Sequence, residues 1–263
     1  MKTKIRVEPR FDCPEFRAWL ATIEGLAAVP GAEVLHAARN LVTAVPVPLA
    51  DGSALDLVVK EFRPRGLHRL RTLVGRSKAE RSARGAAWLQ AAGLRTPATA
   101  AVLEQRRRGT VEKAWFVAER VRGAVEIRSL LRELEAPELR RLLAALARDL
   151  RAAHEAGILH RDLSDGNILV ERGPGGAFVF HFLDTNRVRR KRRLGRSVRA
   201  KNLIRLGVPE GARREFLGFY AGEGGPDPSF VRRYEKSKAA FERWLRFKKK
   251  ARLRQWARRL KLQ

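Results

Sequence analysis

Between Ile158 and Val170 the sequence reads ILHRDLSDGNILV, which crowds two carboxylates, an imidazole and an amide between two apolar runs. Asp162 and Asn167 stand five residues apart there. That pair suits phosphoryl transfer. A carboxylate orients the attacking hydroxyl and accepts its proton, and an amide oxygen holds Mg²⁺ on the phosphates. The chemistry needs a second carboxylate for the metal, best placed at the end of an adjacent strand, and Asp184 closes the run FHFLD. It also needs a cation against the phosphates, and Lys60 closes the run LDLVVK. An acid on the following helix would steady that lysine, and Glu80, twenty residues on, is best placed. Turn chemistry accounts for Asp and Asn in a loop, but not for the strand-end lysine and the second strand-end aspartate. Asp165 has no part in this spacing and reads as a loop residue. His154 and His160 are six residues apart with no cysteine near them, so they read as core or loop histidines rather than a zinc pair.

These groups come from distant parts of the chain, and the intervening pattern predicts how they meet. AEVLHAARNLVTAVPVPLADGSALDLVVKEF reads as strand, strand, turn, strand, with PLADGS as the turn. SKAERSARGAAWLQAAGL reads as a helix, with Ser77 as N-cap, Glu80 completing a capping box and Gly93 as the stop. Glu80 therefore has two readings, as a cap acid and as the partner of Lys60. KAWFVAERV is a short strand. APELRRLLAALARDLRAAHEAG is an amphipathic helix with Leu139, Leu142, Leu143, Leu146 and Leu150 near one face and Gly157 as its stop. The turn RGPGG pairs NILV with AFVFHFLD as a hairpin, which returns Asp184 to the neighbourhood of Asn167. Strands gathered in the N-terminal third and helices after them imply an α+β fold.

The ordered set VVK, HRDLSDGN and FLD resembles the protein-kinase signature of strand lysine, catalytic loop and metal aspartate. With VVKEFRPRG, SKAERSARGAAWLQAAGLRTP, LHRDLSDGNILV and FLDTNRVR, the chain resembles the Kdo/WaaP lipopolysaccharide kinase family over about residues 35–205. The resemblance implies a two-lobed protein-kinase-like fold, with a β-rich N-lobe over residues 1–121 and a helical C-lobe over 122–263. It implies an ATP- and Mg²⁺-dependent kinase acting on a sugar hydroxyl of the lipopolysaccharide inner core. Asp162 would be the base, Asn167 and Asp184 the metal ligands, and Lys60 the phosphate contact paired with Glu80. Glu119 to Val121 would be the hinge against adenine, and His160 and Arg161 would shape the loop.

The departures bear on the acceptor. LHAARNLV has no glycine where a phosphate-covering loop belongs, so Arg39 or Asn40 would supply contacts there. Asp184 is followed by Thr185 and Asn186 rather than Phe and Gly, no APE follows, and Ser164 stands where many protein kinases carry lysine. These features favour a small-molecule or glycan acceptor over a protein. A Ser/Thr protein kinase and a catalytically degenerate, kinase-framed binding protein remain as alternatives.

Composition sets the surroundings. The 263 residues are 44% hydrophobic, enough for a sizeable core. Cys13 is the only cysteine, which points to a reducing compartment. No apolar run reaches membrane-spanning length and the N-terminus lacks a signal-peptide core, so a cytoplasmic protein is expected. Lys and Arg number 56 against 28 Asp and Glu, a formal net charge of +28. Such a field attracts polyanions. With Lys60, Asp162, Asn167 and Asp184 all in place, an anionic glycolipid at the inner-membrane surface is preferred to nucleic acid. From Arg187 to Lys201 nine of fifteen residues are basic, which reads either as a solvated face or as an acceptor-side surface. The tail from Phe241 to Leu262 mixes Trp244, Leu245, Leu253, Trp256 and Leu260 with basic residues, and suits either a membrane interface or packing on the C-lobe.

Overall fold

The computed structural model describes residues 1–37 and 40–260, with the backbone alone for 26–28 and 251–260. Its first half is an antiparallel sheet of six strands: β1 (Lys2–Val7), β2 (Glu33–Ala37), β3 (Leu41–Pro48), β4 (Ala54–Phe62), β5 (Thr99–Arg107) and β6 (Thr110–Glu119), in the order β1-β5-β6-β4-β3-β2. Alternation along the strands divides the apolar residues between two faces. Val45, Val47, Leu57, Val59, Trp115 and Val117 pack with Phe16 and Leu20 of helix α1 (Pro14–Ala21). Phe62, Val102, Val111 and Ala114 pack with Ala79 and Ala83 of helix α3 (Lys78–Ala91), which follows the short α2 (Leu67–Leu70). Lys60 pairs in register with Phe116 and Val42. It stands two residues before Phe62, so it emerges on the α3 side of the sheet.

The second half is built on α5 (Ala136–Glu155), preceded by the two-residue strand β7 (Val125–Glu126) and α4 (Ile127–Glu133). Leu142, Leu143, Leu146 and Leu150 of α5 are fully buried. They join one large core with the strands β8 (Ile158–His160), β9 (Ile168–Arg172), β10 (Phe178–Phe182) and β11 (Val188–Arg190), and with helices α6 (Arg196–Leu203), α7 (Arg213–Ala221) and α8 (Pro228–Leu260). β9 and β10 form the expected hairpin, and β11 returns to pair with β8, Val188 opposite His160. The stop at Gly157 is a steric requirement. Its φ is +75°, and a Cβ there would lie 1.9 Å from the Lys191 carbonyl oxygen.

The α+β class read from the sequence is the observed one. The elements with no counterpart in that reading include β1, α1 and β5. The basic run is not a uniform solvated face, since it contains β11 and most of α6 and buries Val188, Leu194 and Ala200. The start of α8 packs on the lobe through Phe230 and Tyr234, and buried Lys238 donates to the carbonyls of Ile204 (2.9 Å) and Leu206 (2.7 Å). Beyond it Trp244, Leu245 and Phe247 are exposed.

Candidate active site

The Lys60 ammonium forms a direct ion pair with the Asp184 carboxylate. Strand β4 delivers the lysine, and the end of the β9–β10 hairpin delivers the aspartate. The Leu183 peptide is held on both sides: its N–H donates to the Asn167 carbonyl (2.9 Å), and its carbonyl accepts from His160 Nε2 (2.7 Å). Asp184 then turns into the left-handed region, at φ 54° and ψ 42°, a conformation Asp tolerates better than most residues. Thr185 continues the anchorage by donating its hydroxyl to the Ser82 carbonyl of α3 (2.7 Å). The helix can approach that closely because residue 85 is glycine; a Cβ there would sit 2.1 Å from the Thr185 carbonyl oxygen.

The loop between β8 and β9 presents Asp162 and Asn167 beside this pair of anchors. Asn167 Nδ2 donates to the Asp162 carbonyl (2.7 Å) and to Ser164 Oγ (3.2 Å). With its nitrogen spent inside the loop, the amide keeps its oxygen as an acceptor or ligand. Asp165 is a tether, accepting from the Gly207 N–H (2.7 Å). Asp162 holds two guanidinium groups, Arg187 at 2.9 Å on one oxygen and Arg205 at 2.6 Å on the other. Neither arginine was singled out by sequence spacing. Arg187 lies in the basic run, which was a weak pointer, and Arg205 had none.

The expected pairing of Lys60 with Glu80 is corrected. Glu80 is the third residue of α3, and its backbone N–H donates to the N-cap Ser77 hydroxyl (3.1 Å). Its carboxylate faces Arg6 of β1 at 3.7 Å. Glu80 is the only acid in α3, so the helix sends no carboxylate to Lys60. The residue it presents to the Asp184 segment is Ser82. Asn40 opens onto a cavity of about 510 Å³ with Glu61, Arg63 and Lys78, whose walls do not include Lys60. Arg39 lies outside the described residues. At the expected hinge, the Glu119 and Arg120 N–H groups donate to Ala98 and Asp56 carbonyls at 2.9 and 2.8 Å. Among the described residues no hydrogen bond uses the backbone of Val121.

Comparisons with known proteins bear on the family and the fold. The family model for the lipopolysaccharide kinase (Kdo/WaaP) family matches residues 64–213, more than half of the chain. The chain belongs to this family. The match contains Glu80, Asp162, Asn167 and Asp184, and begins after Lys60 and Asn40. In fold, the chain is similar to a solved structure described as WaaP in complex with acyl carrier protein, at 20% identity and a TM-score of 0.61. That match covers 93% of this chain and 97% of the other. No curated protein sequence matches the chain.

As a lipopolysaccharide kinase, the chain is an ATP-using phosphotransferase, and its loop between β8 and β9 hangs from a buried polar chain. Asn202 Nδ2 donates to the His160 carbonyl (2.8 Å), so its oxygen must accept from His154 Nε2 (2.9 Å). That leaves His154 Nδ1 as the acceptor for the Tyr220 hydroxyl (2.7 Å). One amide thus sets the tautomer of the imidazole behind it. Burial pushes His154 down to about 4 and Tyr220 up to about 12, and it also lowers His160. All three are neutral groups holding a loop in place.

Proposed function

We propose that the chain transfers the γ-phosphoryl group of ATP to a sugar hydroxyl of the lipopolysaccharide inner core, on Kdo or heptose, at the cytoplasmic face of the inner membrane. The reaction takes place between lobes spanning residues 1–121 and 122–263. Asp162 orients the acceptor hydroxyl and takes its proton. Lys60 steadies the nucleotide phosphates, and the backbone of Val121, at the end of the Glu119 to Val121 hinge, meets the adenine. Asp184 and the Asn167 amide oxygen would hold Mg²⁺.

The donor set fits that metal. It is one carboxylate and one amide oxygen, both hard ligands, and among the described residues no group of three or more His, Cys, Asp or Glu could form a closed protein site. Magnesium is usually held in this way, by one or two protein oxygens with phosphates and water completing the shell. When bound, the ion supplies charge neutralisation on the phosphates.

The observation that carries the choice of acceptor is the pair of arginines on Asp162. A hydroxyl reaching that carboxylate must enter between two guanidinium groups. Their free donors then face whatever surrounds the hydroxyl, which favours a sugar bearing carboxylate or phosphate. A neutral serine or threonine side chain offers them no anion. With the net charge of +28, the same logic keeps the protein at an anionic membrane surface.

The test is transfer of label from γ-labelled ATP to Kdo- and heptose-bearing inner-core acceptors, with the site located by mass spectrometry. Phosphate on a core sugar is the expected product. Label appearing in protein substrates and in no glycolipid would replace this reading with the protein-kinase one.

A further inference from the structure

The α3 side of the sheet carries a second cluster that the transfer chemistry does not use. A cavity of about 390 Å³ lies between α2, the start of α3 and β11, within the roughly 300–1,000 Å³ of small-ligand pockets. His68, Arg71, Arg76, Lys78, Arg81 and Arg189 line it, and no carboxylate does among the described residues. Phe62 and Val111 contribute apolar wall. Elsewhere on this surface arginines sit against acids: Arg63 with Glu61, Arg69 with Glu112, Arg106 with Glu104. The exclusion of acids from this one cavity is therefore local.

Arg81 is the most informative member. Its Nη1 donates to the Arg76 carbonyl (3.0 Å), but its Nε is buried and has no hydrogen-bond partner. A buried, unmatched guanidinium donor is costly. Burial first and then the charge of Arg189 lower its pKa, and no carboxylate acts the other way. Arg189 spends Nη1 on the Asn186 and Val188 carbonyls, which fixes its position without neutralising it. Two cations from different elements thus meet with nothing negative between them, and the positive end of the α3 dipole opens on the same space.

We propose that this cavity is a second anion site, distinct from the nucleotide site, that takes a phosphate-monoester group between Arg81 and Arg189. Phosphate fits better than carboxylate, because three acceptor oxygens on one centre can meet several guanidinium forks together. Its occupancy ties α3 to β11. β11 follows Arg187, which touches Asp162, and α3 receives Thr185, which follows Asp184. The bound anion therefore braces the two segments that flank the reacting groups.

The experiment is calorimetric titration of the full chain with inorganic phosphate, at constant ionic strength and without Mg²⁺ or nucleotide. Wild type should bind saturably. Arg81→Gln should weaken binding at least tenfold, and Arg71→Gln, on the exposed rim, severalfold, which covers the case of a poorly folding Arg81 variant. Lys60→Met should bind as wild type, as should the distant exposed control Arg246→Gln. Wild-type affinity in both cavity variants, or loss of binding in Lys60→Met, would overturn the proposal. Competition then identifies the source of the group. A phosphorylated glucosamine disaccharide that displaces phosphate, while its dephosphorylated form does not, assigns the site to a glycolipid headgroup. No displacement by either assigns it to free phosphate. The readout is binding alone, so its outcome is independent of whether the transfer reaction is correctly assigned.

Discussion

Asp162 binds two guanidinium groups, so Asp162→Ala removes a base and uncovers two cations together. Transfer should fall by about 10²–10⁴, the usual worth of a general base. Nucleotide binding, measured by thermal shift, should persist, because this carboxylate faces the acceptor. Wild-type turnover would remove Asp162 from the mechanism. Glu80 gives the opposite expectation. Its partner is Arg6 at 3.7 Å on an open face, and exposed pairs contribute ~0–1 kcal/mol. Glu80→Gln should therefore keep kcat within about threefold of wild type, whereas Lys60→Met should lose most activity. A hundredfold loss in Glu80→Gln would mean that the helix acid reaches Lys60 after all. The contrast shows which residues were legible. Lys60 and Asp184 are 124 residues apart, yet each ends a clear strand run, and strand ends are where such groups belong. Glu80 was assigned as the best placed acid on the following helix, but its carboxylate faces Arg6 instead. Arg187 had only its place in the basic run and Arg205 had nothing, since contacts 25 and 43 residues long leave no local pattern.

Helix α3 docks on the segment after Asp184 through the Ser82 carbonyl, which accepts from the Thr185 hydroxyl, and through Gly85, which lies against the Thr185 backbone. Gly85→Ala would place a methyl against the Thr185 carbonyl, an atom that cannot rotate away. The expected cost is ~1–3 kcal/mol, as for an overpacked core, read as a lower unfolding midpoint in denaturant. Unchanged stability would mean that the helix docks more loosely than described. The strong elements were legible because their signals agree: α5 has a continuous apolar stripe and a glycine stop, and the β9–β10 hairpin has two apolar runs around a glycine turn. β1 was not. It is KTKIRV, and all but its last residue are exposed. It is an edge strand protected by lysines, held by its pairing with β5 from Lys2 to Val7, and its only alternation, over Lys4 to Val7, is too short to stand out.

The net charge of +28 predicts that the protein sediments with vesicles containing anionic lipid and leaves them as salt rises, since screening shortens to about 3 Å near 1 M. Neutral vesicles should not hold it. Replacing exposed Trp244 and Phe247 together with alanine tests whether α8 supplies an apolar foothold beside that charge. Acid should act through the interior. His154 is neutral in the fold with its pKa near 4, against 6.5 when free. The unfolded chain therefore takes up a proton first as pH falls. Stability is full above about pH 6.5 and declines between there and pH 4, by up to ~3 kcal/mol. Denaturant midpoints across that range check it; a flat profile would mean that His154 is hydrated. The same polar chain has a consequence across generations. Tyr220, His154 and Asn202 pass a donor-to-acceptor order from α7 to the His160 carbonyl at the loop, and altering any one of the three strands its neighbour. Mutational drift at positions 154, 202 and 220 should be concerted, and related enzymes should inherit the three side chains as one set or exchange them together.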